Sequence, residues 1–204
     1  LFSEFNVSTL YLDMPSSISG AAIKLNDLSV ILVNRKEVIG RQNFDKAHEA
    51  FHCLTWDAIP PQHIERAYSN AKNKPHTEKL ADAFASALLM PEKSINKYFN
   101  VEPSEFNESV LNSLSSRFGV SSQALKWRLC SLNKITRAQA KQLNSSLLIN
   151  NGKTEMNQNQ KLFNGQYVTY LHKALDNGNI SVRKMASTLS LTTEELSELF
   201  KEYS

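Results

Sequence analysis

The chain has 204 residues, 41% hydrophobic and 21% charged, with a net charge of +3. That length holds one or two domains, and that mix buries enough apolar surface to exclude disorder throughout. The charge is too slight to mark a nucleic-acid footprint, and no apolar run reaches the roughly 18 to 20 residues of a membrane span.

The first stretch carries the strand signals. Leu1 to Met14 mixes Ser, Glu, Asn and Asp with its apolar residues, unlike a secretory signal. The chain opens on Leu rather than Met, so a missing N-terminal piece is expected. Ala21 to Leu25 and Ser29 to Asn34 are β-rich runs on either side of Asn26-Asp27, which is turn chemistry and predicts a hairpin. Tyr11-Leu12 offers a third strand. The expected element is a small antiparallel sheet over about residues 10–35.

From about Gln42 to Ile135 the periodicity is helical. Pro60-Pro61, Pro75, Pro91 and Pro103 punctuate it at plausible helix boundaries. The first helix, about 43–57, contains His48-Glu49-Ala50-Phe51-His52, an HExxH motif. On a helix, residues i and i+4 project from one face, so two imidazoles can grip one metal ion. Glu49 lies about 100° around the helix, where it reaches a water rather than the ion. Phe44, Ala47, Phe51 and Leu54 recur at helical spacing and predict a buried stripe.

Two histidines and a glutamate at this spacing also arise by chance, so a third ligand is decisive. A hydrolytic zinc site takes three protein ligands and keeps one position open. Glu78 and Asp82 lie 26 and 30 residues past His52 on a second helix, about 76–90, and share one face. Glu78 can be the third ligand. Asp82 can accept the free N–H of a ligand histidine and fix its tautomer. Leu80, Phe84 and Leu88 are expected to pack the other side, with Met90-Pro91 stopping the helix. Without the upstream motif, the same carboxylates read as the solvated face of an amphipathic helix.

Phe44 to His52, followed by Glu78-Lys79-Leu80-Ala81-Asp82-Ala83-Phe84-Ala85-Ser86-Ala87-Leu88-Leu89-Met90-Pro91, resembles the ImmA/IrrE family of zinc metallo-endopeptidases. Members carry HE-x-x-H and then E-x-x-A-[ND]-x-F-A-x-x-LL-x-P. The resemblance extends to Ile31-Leu32-Val33-Asn34 upstream. Downstream it takes in Phe118-Gly119-Val120-Ser121, Ala124-Leu125 and Arg128-Leu129, so that it covers about residues 20–135. It implies a compact gluzincin-like α+β fold that is mostly helical. It also implies zinc ligands at His48, His52 and Glu78, and a catalytic base at Glu49. Family members often cleave or antagonise a repressor-type DNA-binding protein encoded nearby, in bacteria, phages and mobile elements. Related chains often carry an N-terminal DNA-binding domain. One departure is Phe51, where the family usually has a small residue before the second histidine. The ring is expected to pack below the site or narrow the cleft.

In the mechanism this implies, Glu49 takes the water's proton and returns it to the leaving amine. His63, Tyr68, His76 and Tyr98 are the nearest candidates in sequence for stabilising an oxyanion, with surface or structural roles as their alternatives. Cys53 and Cys130 belong to no paired framework and read as reduced thiols of a cytoplasmic protein, Cys53 as a small buried residue. Trp56 and Trp127 read as core or groove-lining aromatics.

Two segments have helix-turn-helix spacing, Leu114 to Leu125 (in a pair over about 108–133) and Met185 to Leu196. Lys126 and Arg128 make nucleic-acid contact conceivable for the first, but packing on the peptidase core is the expected role. In the second, Glu194, Glu195, Glu198 and Glu202 face only Lys201, the wrong sign for phosphates, so a protein-interaction element or packed cap is expected. Thr192-Thr193-Glu194-Glu195 reads as a capping box.

The resulting expectation is a metallopeptidase domain over 1–145, a polar linker over 146–160 and a small helical module over 161–204. The function expected is a cytoplasmic zinc endopeptidase of restricted specificity acting on a repressor-type regulator. No membrane association and no direct nucleic-acid binding are expected. The alternative is a regulatory protein that sequesters its partner, with a structural or vestigial metal site.

Overall fold

A computed structural model describes residues 6–26, 28–60, 74–102, 105–149, 163 and 165–203. The chain divides into two compact units, Leu1–Gln160 and Lys161–Ser204. No described helix is long and apolar enough to cross a membrane.

The first unit is α+β. Three strands, β1 (Val7–Leu12), β2 (Gly20–Leu25) and β3 (Leu28–Asn34), form a sheet in the order β1-β3-β2. The β2–β3 hairpin forms with Leu25 opposite Leu28 and Gly20 opposite Val33. Asn26 supplies the left-handed turn residue at φ 51°. The sheet is mixed, however, and not antiparallel as expected. β1 runs parallel to β3, from Val7 opposite Ser29 to Leu12 opposite Asn34.

The reason lies in the connection after β1, which crosses to the far edge of β3 instead of turning back on itself. Asn34, buried at the end of β3, holds that crossover. Its Nδ2 donates to the carbonyls of Met14, Pro15 and Ile18 at 3.2, 3.3 and 2.9 Å. A side chain bonded to backbone this far away leaves no local periodicity to read.

Six helices follow among the described residues: α1 (Ile39–Thr55), α2 (His76–Leu89), α3 (Glu92–Tyr98), α4 (Glu108–Phe118), α5 (Ser122–Ser131) and α6 (Arg137–Gln142). α1 packs on β2 and β3, and α2 packs on α1. Val7, Ile31, Val33 and Ala50 form the core beneath the sheet, with Tyr11 and Cys53 against it.

The buried faces differ from the expected stripes. α1 buries Gly40, Gln42, Asp45, Ala47, Ala50 and His52, whereas Leu54 is 49% exposed. α2 buries Ala81 and Ala85, and Leu80 and Leu88 lie on the surface. The fully buried apolar residues of both helices are small, Ala47 and Ala50 on α1 and Ala81 and Ala85 on α2, and the leucines lie outward.

The α4–α5 turn is locked to α1. A Cβ on Gly40 would stand 2.6 Å from backbone atoms of both Val120 and Ser121, which only glycine permits. Asn43 Nδ2 donates to Gly119 O at 2.8 Å, and Gly119 caps α4 at φ 62°. Arg128 Nε donates to Met90 O at 3.1 Å, tying α5 to the end of α2. Lys126 is only 5% exposed. Lys126 and Arg128 are therefore engaged in packing. Trp127 departs from the core expectation: it is 46% exposed, its ring carrying the Lys126 ammonium at 5.3 Å.

The larger core joins Met90, Ile95, Leu111, Val120, Leu125 and Leu129 to Leu143 and Leu148. Ser145–Leu147 forms a 3-10 turn, and Asn112 Nδ2 donates to Leu147 O at 2.8 Å. Residues 146–149, read from sequence as the start of the linker, thus pack into the first unit. Residues 150–160 lie outside the described residues.

In the second unit, α7 (Gly165–Asp176), α8 (Val182–Thr188) and α9 (Thr193–Glu202) bury Val168, Met185, Ala186, Leu196 and Leu199. Thr192 and Glu195 form the capping box at the start of α9. Tyr203 closes the unit, its hydroxyl bonded to both the N–H and the carbonyl of Phe163.

Candidate active site

α1 presents His48 and His52 one turn apart, and α2 presents Glu78 in its first turn with Asp82 one turn further on. The packing of α2 on α1 brings these faces together. One ligand atom each from His48, His52 and Glu78 lies within 4.8 Å of the others. His52 Nε2 stands 3.3 Å from His48 Nε2 and 3.3 Å from Glu78 Oε1, and His48 Nε2 stands 3.1 Å from Glu78 Oε2. The rings meet edge to face, with centroids 5.1 Å apart.

Asp82 Oδ1 lies 3.0 Å from His48 Nδ1. A carboxylate can only accept, so Nδ1 carries a proton, and in the neutral ring that leaves the lone pair on Nε2, facing the other two residues. His52 is held differently: it is buried, packed edge-on to Phe51, and its Nδ1 has no hydrogen-bond partner among the described residues.

The charges follow from this crowding. Burial acts to lower the pKa of His48, but the hydrogen bonds it donates to Asp82 and Glu78 and the charge of Glu49 overcome it and raise it to about 9. Hydrogen bonds from His48 and His52 hold Glu78 well below the usual carboxylate range. Burial pushes Glu49 upward, against the pull of His48 and His52. Burial likewise raises Asp45, which Arg41 Nε contacts at 2.9 Å. Asp82 is lowered: burial opposes this, but bonds from His48 and Lys74 prevail.

This donor set fits a small divalent cation. Two imidazole nitrogens and a carboxylate oxygen crowd together, an arrangement that calls for a cation or a proton among them. Donors placed about 2.0–2.1 Å from one tetrahedral ion stand about 3.3–3.4 Å apart, close to the spacing of these three atoms.

Glu49 borders the group. Gly20, the first residue of β2, lies against it, since a Cβ there would stand 3.2 Å from Glu49 Cγ and 3.5 Å from Asp45 Cβ. Phe51 points to α2, its ring 5.7 Å from that of Phe84, so it packs between the two helices. Cys53 is half-buried and free, its thiol pushed up to about 11 by burial and by the charge of Glu49.

Of the expected oxyanion candidates, the two described residues do not join the converging group. His76 is exposed at the start of α2. Tyr98 packs edge-on to Phe118 under the Arg117 guanidinium, which lies 4.5 Å from its ring. His63 and Tyr68 lie outside the described residues. Sequence reasoning missed Lys74, whose Nζ lies 2.6 Å from Asp82 Oδ2. It also missed Arg41, which reaches Asp45 one turn on within α1, and Gly20, whose role depends on strand and helix meeting.

A comparison with curated proteins finds no match. The family model of the IrrE N-terminal-like domain, a peptidase family, matches residues 2–130. That span includes the sheet, both histidine- and carboxylate-bearing helices and nearly all of the α4–α5 pair that holds them. The chain therefore belongs to the IrrE N-terminal-like family of metal-dependent peptidases.

Proposed function

We propose that the chain is a zinc-dependent endopeptidase of restricted specificity, with His48, His52 and Glu78 as metal ligands, Glu49 as catalytic base and Asp82 supporting His48. The observation that carries this reading is the convergence of the three ligand atoms within 4.8 Å, on a chain of a peptidase family. When bound, zinc lowers the pKa of a water and polarises the scissile carbonyl.

The chain's own residues then have distinct tasks. Asp82 keeps the Nδ1 proton on His48 so that Nε2 faces the ion. Glu49 takes the water's proton and later passes it to the leaving amine. Its burial raises its pKa toward the range in which a carboxylate both accepts and returns a proton near neutral pH. The small α1–α2 contact residues fix the donor geometry without reorganisation. The resemblance to the ImmA/IrrE peptidases favours a repressor-type DNA-binding protein as substrate and a cytoplasmic setting.

The test combines metal analysis with cleavage. About one zinc per chain is expected. Discrete fragments of a candidate repressor should appear with the wild type and disappear with Glu49→Gln, which keeps its metal. Cleavage at the wild-type rate by Glu49→Gln would sink the mechanism. Zinc without fragments from any candidate would favour sequestration.

A further inference from the structure

We propose that Lys74 is a positioning residue of the metal centre, acting on His48 through Asp82. The inference rests on the reading of His48 as a ligand and adds a member to the site. The two oxygens of Asp82 are divided between two partners. Oδ1 accepts from His48 Nδ1 at 3.0 Å, and Oδ2 accepts from Lys74 Nζ at 2.6 Å. A carboxylate held by one oxygen alone can swing about its Cβ–Cγ bond. Held by both, it is fixed in plane, and the imidazole ring bonded to it is fixed with it.

The approach of Lys74 is itself constrained. Pro75 follows it and is the N-cap of α2, with φ −53° and ψ 155°. A proline restricts the residue before it to extended conformations, so Lys74 enters α2 along a narrow set of directions. Three quarters of its side chain is covered, and that of Asp82 is about three-fifths covered, so this ion pair is not a freely solvated one.

Charge gives the contact a second effect. Asp45, Glu49, Glu78 and Asp82 crowd around two histidines, an excess of negative groups for one divalent ion. Lys74 neutralises the one carboxylate that touches a ligand without itself being one of the three converging donors. Asp82 can then orient His48 without adding an uncompensated negative charge beside the ligands.

The experiment uses the full chain. Zinc affinity is measured by competition with a chromophoric chelator at pH 7 for wild type, Lys74→Met, Lys74→Arg, Asp82→Ala and the Lys74→Met/Asp82→Ala double variant. The Nδ1–H proton resonance of His48 is followed in the zinc-loaded, histidine-labelled proteins. Lys74→Met should weaken zinc binding by about 10-fold, the lower end of the effect of losing an outer partner, and should speed solvent exchange of the Nδ1 proton. Lys74→Arg should restore both. In the Asp82→Ala background Lys74→Met should have no further effect, because the path through Asp82 is gone. Far-UV circular dichroism verifies that each variant is folded.

Unchanged affinity and exchange in folded Lys74→Met would overturn the assignment while leaving the metal centre standing. An undiminished effect of Lys74→Met in the Asp82→Ala background would overturn it too, by showing a path that bypasses Asp82. Failure of the wild type to bind zinc would overturn both this inference and the reading on which it rests.

Discussion

Four acidic residues on α1 and α2 of the first unit and four on α9 of the second behave as different chemical groups. In the first unit, Asp45, Glu49, Glu78 and Asp82 are partly or fully buried beside two histidines, and every one of their pKa values is displaced. In the second, Glu194, Glu195, Glu198 and Glu202 lie along the exposed side of α9. Of these, Glu194 is held low by backbone and hydroxyl hydrogen bonds at the helix N-terminus, and Glu195 serves the cap. Residue type and helical spacing are alike in both. What differs is whether the carboxylates face another helix or water, and that decides whether their charge bears on chemistry or on helix ends and solubility.

Substitutions in the first set should have the largest effects. Glu78→Gln removes one converging donor and should weaken metal binding by more than the roughly 10- to 100-fold that an outer partner costs, as read by chelator competition. A mild change there would erase the distinction between the two sets.

Metal removal should expose a pH dependence confined to the first unit. In the metal-free protein, the pKa of His48 is raised to about 9 from an ordinary value of 6.5. The stability it contributes is therefore fully present below about pH 6.5 and is lost as pH rises through 9. The melting temperature of chelator-treated protein should fall across that window. Zinc-loaded protein should not follow it, since the ion displaces that proton.

Gly40→Ala sharpens the comparison away from charge. Its Cβ would meet the Val120–Ser121 backbone, so the first unit should lose about 1–3 kcal/mol by denaturant unfolding. In the second unit, Thr192→Ala should cost about 1 kcal/mol through the lost cap, with zinc affinity unchanged. Glu198→Gln should shift stability by less than about 0.5 kcal/mol and leave metal binding as it was.

The legibility of this molecule follows the range of its interactions. The grouping of His48, His52 and Glu78 could be read because each helix places its residues by local i, i+4 geometry, and a third acidic residue on a nearby helix had few other partners. The β2–β3 hairpin was readable for the same local reason. The parallel pairing of β1 was not, because Asn34 enforces it through backbone atoms 16 to 20 residues away. Leu54, Leu80 and Leu88 were misplaced because periodicity reports that a helix has an apolar face, not how near its neighbour comes. Gly40 did leave a trace, a glycine near the start of a helical pattern, but its counterpart lies beyond residue 118. Lys74 gave no signal at all, since a lysine directly before a proline at a helix boundary is ordinary surface composition.

The double anchorage of the α4–α5 pair has a consequence for how the protein is handled. Asn43 to Gly119 and Arg128 to Met90 pin both site-bearing helices to the same scaffold, independently of any ion. Loading is therefore an exchange at a standing receptacle, unlike a zinc finger, where ion uptake and folding are one event. Protein stripped with a chelator should keep slow amide hydrogen exchange in α1 and α2, and should recover its full complement of zinc on simple readdition, with no refolding step.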